Sequence, residues 1–241
     1  MYLLSRGHAM KIQHPELVHA SSLEQAESLQ AQVRDMVRIE PLVRQPHRIV
    51  GCDVAYSPDG EWGFATAVAV NLETLIEIEH PTAHATASFP YVSGLFAFRE
   101  LPILIEALQK LTRIPDVIVV EGHGIAHPQC AGLASHLGVA LEIPTIGCAK
   151  SPLSGDWIQP PDEKGAWTEI RVNREMVGAV LRSRVGSQPI FVSPGHMIDI
   201  KSSLSLVYKM CRERRLPEPL ARAHAVSVKT RDRHVRQHQP I

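Results

Sequence analysis

A mixed α/β fold is the architecture this sequence predicts. Three patterns carry that expectation: strand-like runs joined by short turns between residues 47 and 88, a continuous β-branched apolar run at Val117–Val120, and stretches of helical period on either side of it. Residues 21–38 open with Ser21/Glu24 and Ser22/Gln25 spacings typical of a capping box. They then set Leu23, Ala26, Leu29, Val33 and Val37 on one face, the pattern of an amphipathic helix. Three strands are expected next, at residues 47–56, 62–72 and 75–88, with turns at 57–61 and 71–74, which makes an antiparallel meander. Ile103, Leu104, Ala107, Leu108 and Leu111 follow helical spacing, with Pro102 either in the first turn or kinking the helix. Val117–Val120 suits a strand covered on both faces, and it ends on Glu121 and a Gly-His-Gly turn. A helix at 131–141, a strand at 144–149, strands at 168–172, 176–181 and 189–192, and a helix at 202–214 complete the order.

The 241 residues with 44% apolar content supply a substantial core, and no linker, repeat or low-complexity tract divides them, so one domain over residues 1–241 is expected, with residues 1–20 and 230–241 flexible. Lys plus Arg equals Asp plus Glu, which argues weakly against nucleic-acid binding. The distribution is uneven, however: residues 209–241 carry nine Lys/Arg against three Asp/Glu, so this flank either faces a polyanion or is a solvated tail. The four cysteines are far apart and form no Cys-x-x-Cys pair, which predicts reduced thiols. No stretch reaches membrane-spanning length, and a cytoplasmic monomer is the expectation.

Three antiparallel strands, a helix, then strands alternating with helices is the order of the ribonuclease H-like fold, a mixed sheet flanked by helices. Acidic residues fall at its stations: Asp53 within the first strand, Glu100 at the start of the helix after the meander, and Glu121 at the end of the fourth strand. Hard oxygen ligands of this kind hold Mg²⁺ while leaving positions open for water, which suits attack on a phosphodiester. Each residue alone also fits a structural role: a solvent-facing Asp, a helix-dipole partner and a strand end. No Gly-x-Gly-x-x-Gly or Walker loop occurs. His123-Gly-Ile-Ala-His127 is not a zinc-protease motif, because Gly stands where Glu is needed and Pro128 follows.

Longer motifs then align in order: Gly51-Cys-Asp-Val-Ala-Tyr-Ser57, Phe89-Pro-Tyr-Val-Ser-Gly-Leu-Phe-Ala-Phe-Arg-Glu100, Glu121-Gly-His-Gly-Ile-Ala-His-Pro128, Gly132-Leu-Ala-Ser-His-Leu-Gly138, Ile143-Pro-Thr-Ile-Gly-Cys-Ala-Lys-Ser151, Val192-Ser-Pro-Gly-His196 and Leu216-Pro-Glu-Pro219. In these motifs the chain resembles the endonuclease V family, nucleases that act on deoxyinosine-containing nucleic acid. The resemblance implies that Asp53 and Glu121 ligate Mg²⁺, with Mn²⁺ as a substitute, that Glu100 supports the metal and its water, and that His224 completes the site. It further implies that Lys150 sits by the scissile phosphate and that Tyr91 belongs to a wedge that separates the strands. Gly94, Gly122 and Gly124 would line a pocket for the flipped base. The implied reaction is hydrolysis of the second phosphodiester on the 3′ side of the lesion, in DNA repair, with inosine-containing RNA as an additional substrate.

The chain also departs from the family pattern. Glu121 stands where the family has Asp, and its extra methylene moves the carboxylate by about 1.5 Å. Gln129 and Cys130 replace basic residues, and Ser93 replaces a wedge proline. These changes keep a second reading open, an attenuated or non-catalytic protein that binds inosine-containing nucleic acid without cutting it.

Overall fold

Residues 10–238 are described by a computed structural model of the chain. A short 3-10 turn at Pro15–Leu17 leads into α1 (Leu23–Met36), where the Ser22 hydroxyl accepts from the Gln25 amide and the Gln25 side chain returns a bond to the Ser21 amide. The expected Ser22 cap is therefore formed, but the return bond reaches the amide before the N-cap instead of the N-cap's own, so the capping box is displaced by one residue. Residues 10–20 were expected to be flexible, but Met10, Leu17 and Val18 are buried; residues 1–9 lie outside the described region.

The meander begins as expected with β1 (Arg48–Tyr56) and β2 (Trp62–Asn71), paired antiparallel along their whole length. The third expected strand, 75–88, is instead two strands, β3 (Glu77–Glu79) and β4 (Thr82–Thr86), both paired to β2. Pro81 lies between them; it has no amide to donate, although its carbonyl accepts from Ala67. Helix α2 (Ala97–Gln109) follows, with Glu100 in its first turn and Pro102 in its interior, beyond the first turn. Strand β5 (Val117–Val120) is buried at every position and lies parallel between β1 and β6 (Thr145–Ala149), with α3 (Leu133–Leu141) as the crossover helix. A two-residue β7 (Asp156–Trp157), not expected from its pattern, precedes β8 (Trp167–Val172), β9 (Glu175–Leu181) and β10 (Ile190–His196). Strand β10 runs four residues beyond its expected end at Val192, through Pro194, which the sheet accommodates at an irregularity in the β6 register.

The ten strands form one sheet in the order β3-β2-β1-β5-β6-β10-β9-β8-β7, with β4 beside β2. Alternation along the central strands divides the core between its two faces. Val50, Cys52, Ile118 and Val120 pack with Leu101, Leu104 and Leu108 of α2 and Leu137 of α3, whereas Ile49, Val117 and Val119 point the other way. That second face is covered by α4 (Ile200–Met210) and α5 (Glu218–His238), through Leu206, Val207, Leu220 and Ala223. The alternation places a mixed sheet between two helical layers, a ribonuclease H-like fold.

Helix α5 was not expected. Its region read as a basic flank, yet it is a 21-residue helix packed on β1 and β2. Residues 230–238 belong to that helix, contrary to the flexible end expected of them, and only 239–241 lie outside the described region. Packing explains the order. His234 rests against Trp62 and Phe64, each 5.0 Å away between ring centroids, so the distal half has its own anchor. Among the described residues the cysteines are unpaired, with Cys52, Cys148 and Cys211 buried and Cys130 half-buried. No described helix is long and apolar enough to cross a membrane.

His136 and His196 are structural. The His136 ring is fully buried between α3 and the N-terminal turn; its Nε2 meets the Leu17 carbonyl at 2.7 Å and its edge abuts Phe98. Nδ1 of His196 accepts from the Arg38 amide at 3.3 Å. Burial pushes the His136 pKa down to about 4. The unfolded chain therefore takes up a proton near pH 6.5 that the folded one refuses, and stability is lost as pH falls from 6.5 toward 4. The expected contribution of His136 to that loss is up to about 3 kcal/mol. Urea unfolding at pH 7, 5.5 and 4 should show a shallower decline for His136→Gln, which retains a donor toward Leu17.

Candidate metal centre and adjoining cavity

Strand alternation puts Ile49, Gly51 and Asp53 on the face of β1 that α5 covers. Gly51 is where helix and strand touch: a Cβ there would lie 2.4 Å from the backbone carbon of Pro219 and 2.5 Å from the Leu220 nitrogen. Two residues further on, Asp53 lies beneath the next turn of α5, buried, with its Oδ2 accepting from the Ser227 hydroxyl and 3.3 Å from Nδ1 of His224. The parallel register matches Cys52 with Val120, so Glu121 emerges beside Asp53, and its amide donates to the Cys52 carbonyl at 3.2 Å. Strand β6 ends one residue before Lys150, whose Nζ lies 2.7 and 2.9 Å from the two carboxylate oxygens of Glu121. The C-terminal ends of neighbouring parallel strands thus deliver Glu121 and Lys150 side by side, where open α/β sheets collect ligands.

Asp53, Glu121 and His224 each offer one atom to a cluster whose members all lie within 4.8 Å of one another. Glu100 is buried close behind them. Burial, then repulsion from Asp53 and Glu121, pushes its pKa well above the usual carboxylate range. Glu121 is also raised, by burial first, with the Lys150 hydrogen bond acting in the opposite direction. The donor set fits a divalent cation: hard carboxylate oxygens plus one imidazole, in a self-repelling acidic cluster with Lys150 as its direct cationic partner.

A cavity of about 470 Å³ opens against this centre, and Glu121 and Lys150 line it together with Tyr91, Gly94, Phe96 and Gly122. Tyr91 is 75% exposed and edge-on to Phe96 at 5.5 Å, so it is not a core side chain. Gly94 and Gly122 adopt φ of +84° and +157°, conformations that L side chains rarely take. Gly124, expected in the wall, is not among its residues. A Cβ there would lie 1.9 Å from the Pro194 carbonyl oxygen, so this glycine permits close packing of the turn onto β10. The Gly124 amide donates to the Ser193 hydroxyl at 2.8 Å.

Two residues of the region went unrecognised in the sequence. Ser227 lies one helical turn after His224, a spacing that speaks only once α5 is known to be a helix. His127 was weighed only as part of a zinc motif, yet it lines the cavity, buried, with its pKa pushed down to about 4 by burial and then by His123. Its Nδ1 accepts from the Gln129 amide at 3.1 Å, which closes the turn carrying the half-buried Cys130.

One carboxylate within the central strand β1, a second just past the end of β5 and a third on α2, gathered on such a sheet, mark the ribonuclease H-like nuclease class. The endonuclease V family profile matches residues 31–225. Endonuclease V of Geotalea uraniireducens is 46% identical over 183 residues, which cover 76% of this chain and 77% of that protein. The crystal structure of the Bacillus subtilis endonuclease V superposes with a TM-score of 0.89 at 33% identity, over 95% of this chain and all of that one. The Ciona intestinalis endonuclease V, solved with a 24-mer DNA containing an inosine followed by a ribo-adenosine, superposes with a TM-score of 0.76 at 25% identity, over 88% and 98% of the two chains. The chain belongs to the endonuclease V family.

Two substitutions test how the centre is held. Gly51→Ala forces the start of α5 off β1 and is expected to cost about 1–3 kcal/mol, read as a lowered urea midpoint. Ser227→Ala leaves the fold intact but frees Asp53. Calorimetric titration with Mn²⁺ should show affinity about tenfold weaker than wild type.

Proposed function

We propose that this protein is a divalent-cation-dependent endonuclease that recognises deoxyinosine in DNA and hydrolyses the second phosphodiester on its 3′ side. The observation that carries this reading is shared lining: Glu121 and Lys150 belong at once to the acidic centre and to the wall of a cavity large enough for a base. The inosine-containing DNA bound by the Ciona relative supports the choice of substrate.

Asp53 and Glu121, with His224, are the ligands in this reading, for Mg²⁺ or, in its place, Mn²⁺. Bound there, the cation supplies positive charge that activates water and offsets charge developing on the phosphate. Glu100 closes the back of the site as a further carboxylate. Lys150 extends from Glu121 toward solvent, and in this reading it meets the scissile phosphate as a point charge. The longer Glu121 meets Lys150 through both oxygens while Oε2 stays 3.9 Å from His224, so the extra methylene relative to Asp leaves it inside the cluster. A carboxylate held there stays within reach of a cation shared with Asp53 and His224, as cutting requires.

Tyr91 stands exposed at the cavity mouth, where stacking on a base contributes roughly 1–3 kcal/mol. The base must leave the helix to be read, and backbone at Gly94 and Gly122 lines the space it would enter. Hypoxanthine carries an oxygen where adenine carries an amino group, so a fixed backbone donor accepts one and mismatches the other.

A labelled duplex with one deoxyinosine, incubated with Mg²⁺ and separately with Mn²⁺, should be nicked once on the 3′ side, with Asp53→Ala slower by more than about a hundredfold. Glu121→Asp should cut as well. Binding of the inosine duplex without cutting by the wild type, with cutting restored in Glu121→Asp, would identify a binding protein instead. An inosine-containing RNA in the same assay measures the second substrate class.

A further inference from the structure

Gln30 is a polar residue on the apolar face of α1, among Ala26, Leu29 and Val33, and it is only 3% exposed. A buried amide in such a place needs partners, because an unmet donor costs about 1–3 kcal/mol. Its partners are two backbone carbonyls: Nε2 donates to Gly94 at 2.6 Å and to Ala131 at 3.1 Å. Both acceptors belong to the wall of the cavity, Gly94 in the Tyr91–Gly94 loop and Ala131 at the entry to α3. Because both partners are acceptors, the amide nitrogen has to face them.

The Gly94–Leu95 peptide is consequently held at both polar atoms. Its carbonyl is taken by Gln30, and its amide donates to the Val92 carbonyl at 3.0 Å. Gly94 has φ +84° and no side chain, so without such ties this peptide is free to rotate. Rotation would exchange a carbonyl for an amide in the wall. Hypoxanthine and adenine differ in the same currency: an acceptor oxygen against a donor amino group at one atom, and a protonated against a bare ring nitrogen beside it.

We propose that Gln30 is a positioning residue that locks the Gly94–Leu95 peptide, and through it the donor and acceptor pattern with which the cavity tells inosine from adenine. The inference rests on the proposed function of the same cavity. Gln30 lies just outside the residues matched by the family profile, which begins at 31.

The test compares wild type with Gln30→Met, which keeps the volume but has no donor, and Gln30→Asn, which keeps the donors one methylene short of their targets. For each protein the measurements are kcat and KM on an inosine duplex, and the ratio of affinities for that duplex and one with adenine at the same position. Thermal unfolding confirms that each variant is folded. In both variants the affinity ratio is expected to fall about tenfold, with KM for inosine raised by a similar factor and kcat changed by less than about twofold. Equal weakening on both duplexes, with the ratio kept, would mean that Gln30 only supports packing and would overturn the inference alone. A wild type with no preference for inosine would overturn the proposed function as well.

Discussion

The parallel register of β5 between β1 and β6 is the constraint on which the rest of this structure depends. Val117–Val120 has no exposed position, so its apolar side chains must satisfy two cores at once, with Ile118 and Val120 in one and Val117 and Val119 in the other. A shift of one residue would exchange the two sets. The same register sets Cys52 opposite Val120 and Val120 opposite Gly147, and so aligns the ends from which Glu121 and Lys150 emerge beside Asp53. Apolar burial, which is not itself chemical, places the chemical groups.

That placement opposes stability locally. Asp53, Glu100 and Glu121 are gathered where burial and mutual repulsion raise the pKa of Glu100 and Glu121, with Lys150 as direct counter-charge to Glu121. The surrounding layers offset the cost. Helix α5 is the clearest case: Gly51 admits its first turn, Leu220 and Ala223 bury against the sheet, His234 docks on Trp62 and Phe64, and between these anchors His224 and Ser227 reach Asp53. The family profile ends at residue 225, whereas the helix continues to His238, so its distal anchor lies beyond the matched region.

The cavity is built differently, from turns rather than strand ends. Gly94 and Gly122 supply backbone conformations open to few other residues, Gly124 lets its turn close onto Pro194, the buried Gln30 ties two segments through their backbone carbonyls, and the buried His127 closes its own turn. Tyr91 stays outside this network, exposed and in contact with Phe96. Under the proposed function, hydrogen-bonded walls with an exposed aromatic at the mouth suit a site that admits a base before reading it.

By itself the sequence determined what local pattern encodes: the Ser22 cap and amphipathic face of α1, the long β1–β2 pair, the fully buried β5, and carboxylates at stations a ribonuclease H-like sheet uses. The ordered motifs also pointed to the family. It did not reveal α5, because nine cations among residues 209–241 mask a narrow apolar stripe that becomes visible only against the sheet. Pro81 and Pro194 misled in opposite ways: one divides what reads as a single strand, and the other is absorbed at an irregularity in the sheet. Only the tertiary structure decided that Ser227 meets Asp53 across more than 170 residues, beside the His224 that the motifs had pointed to, that Gln30 reaches Gly94 and Ala131, and that Gly124 packs rather than lines. Those contacts depend on the distance between chain segments brought together by burial, a quantity that no local periodicity carries.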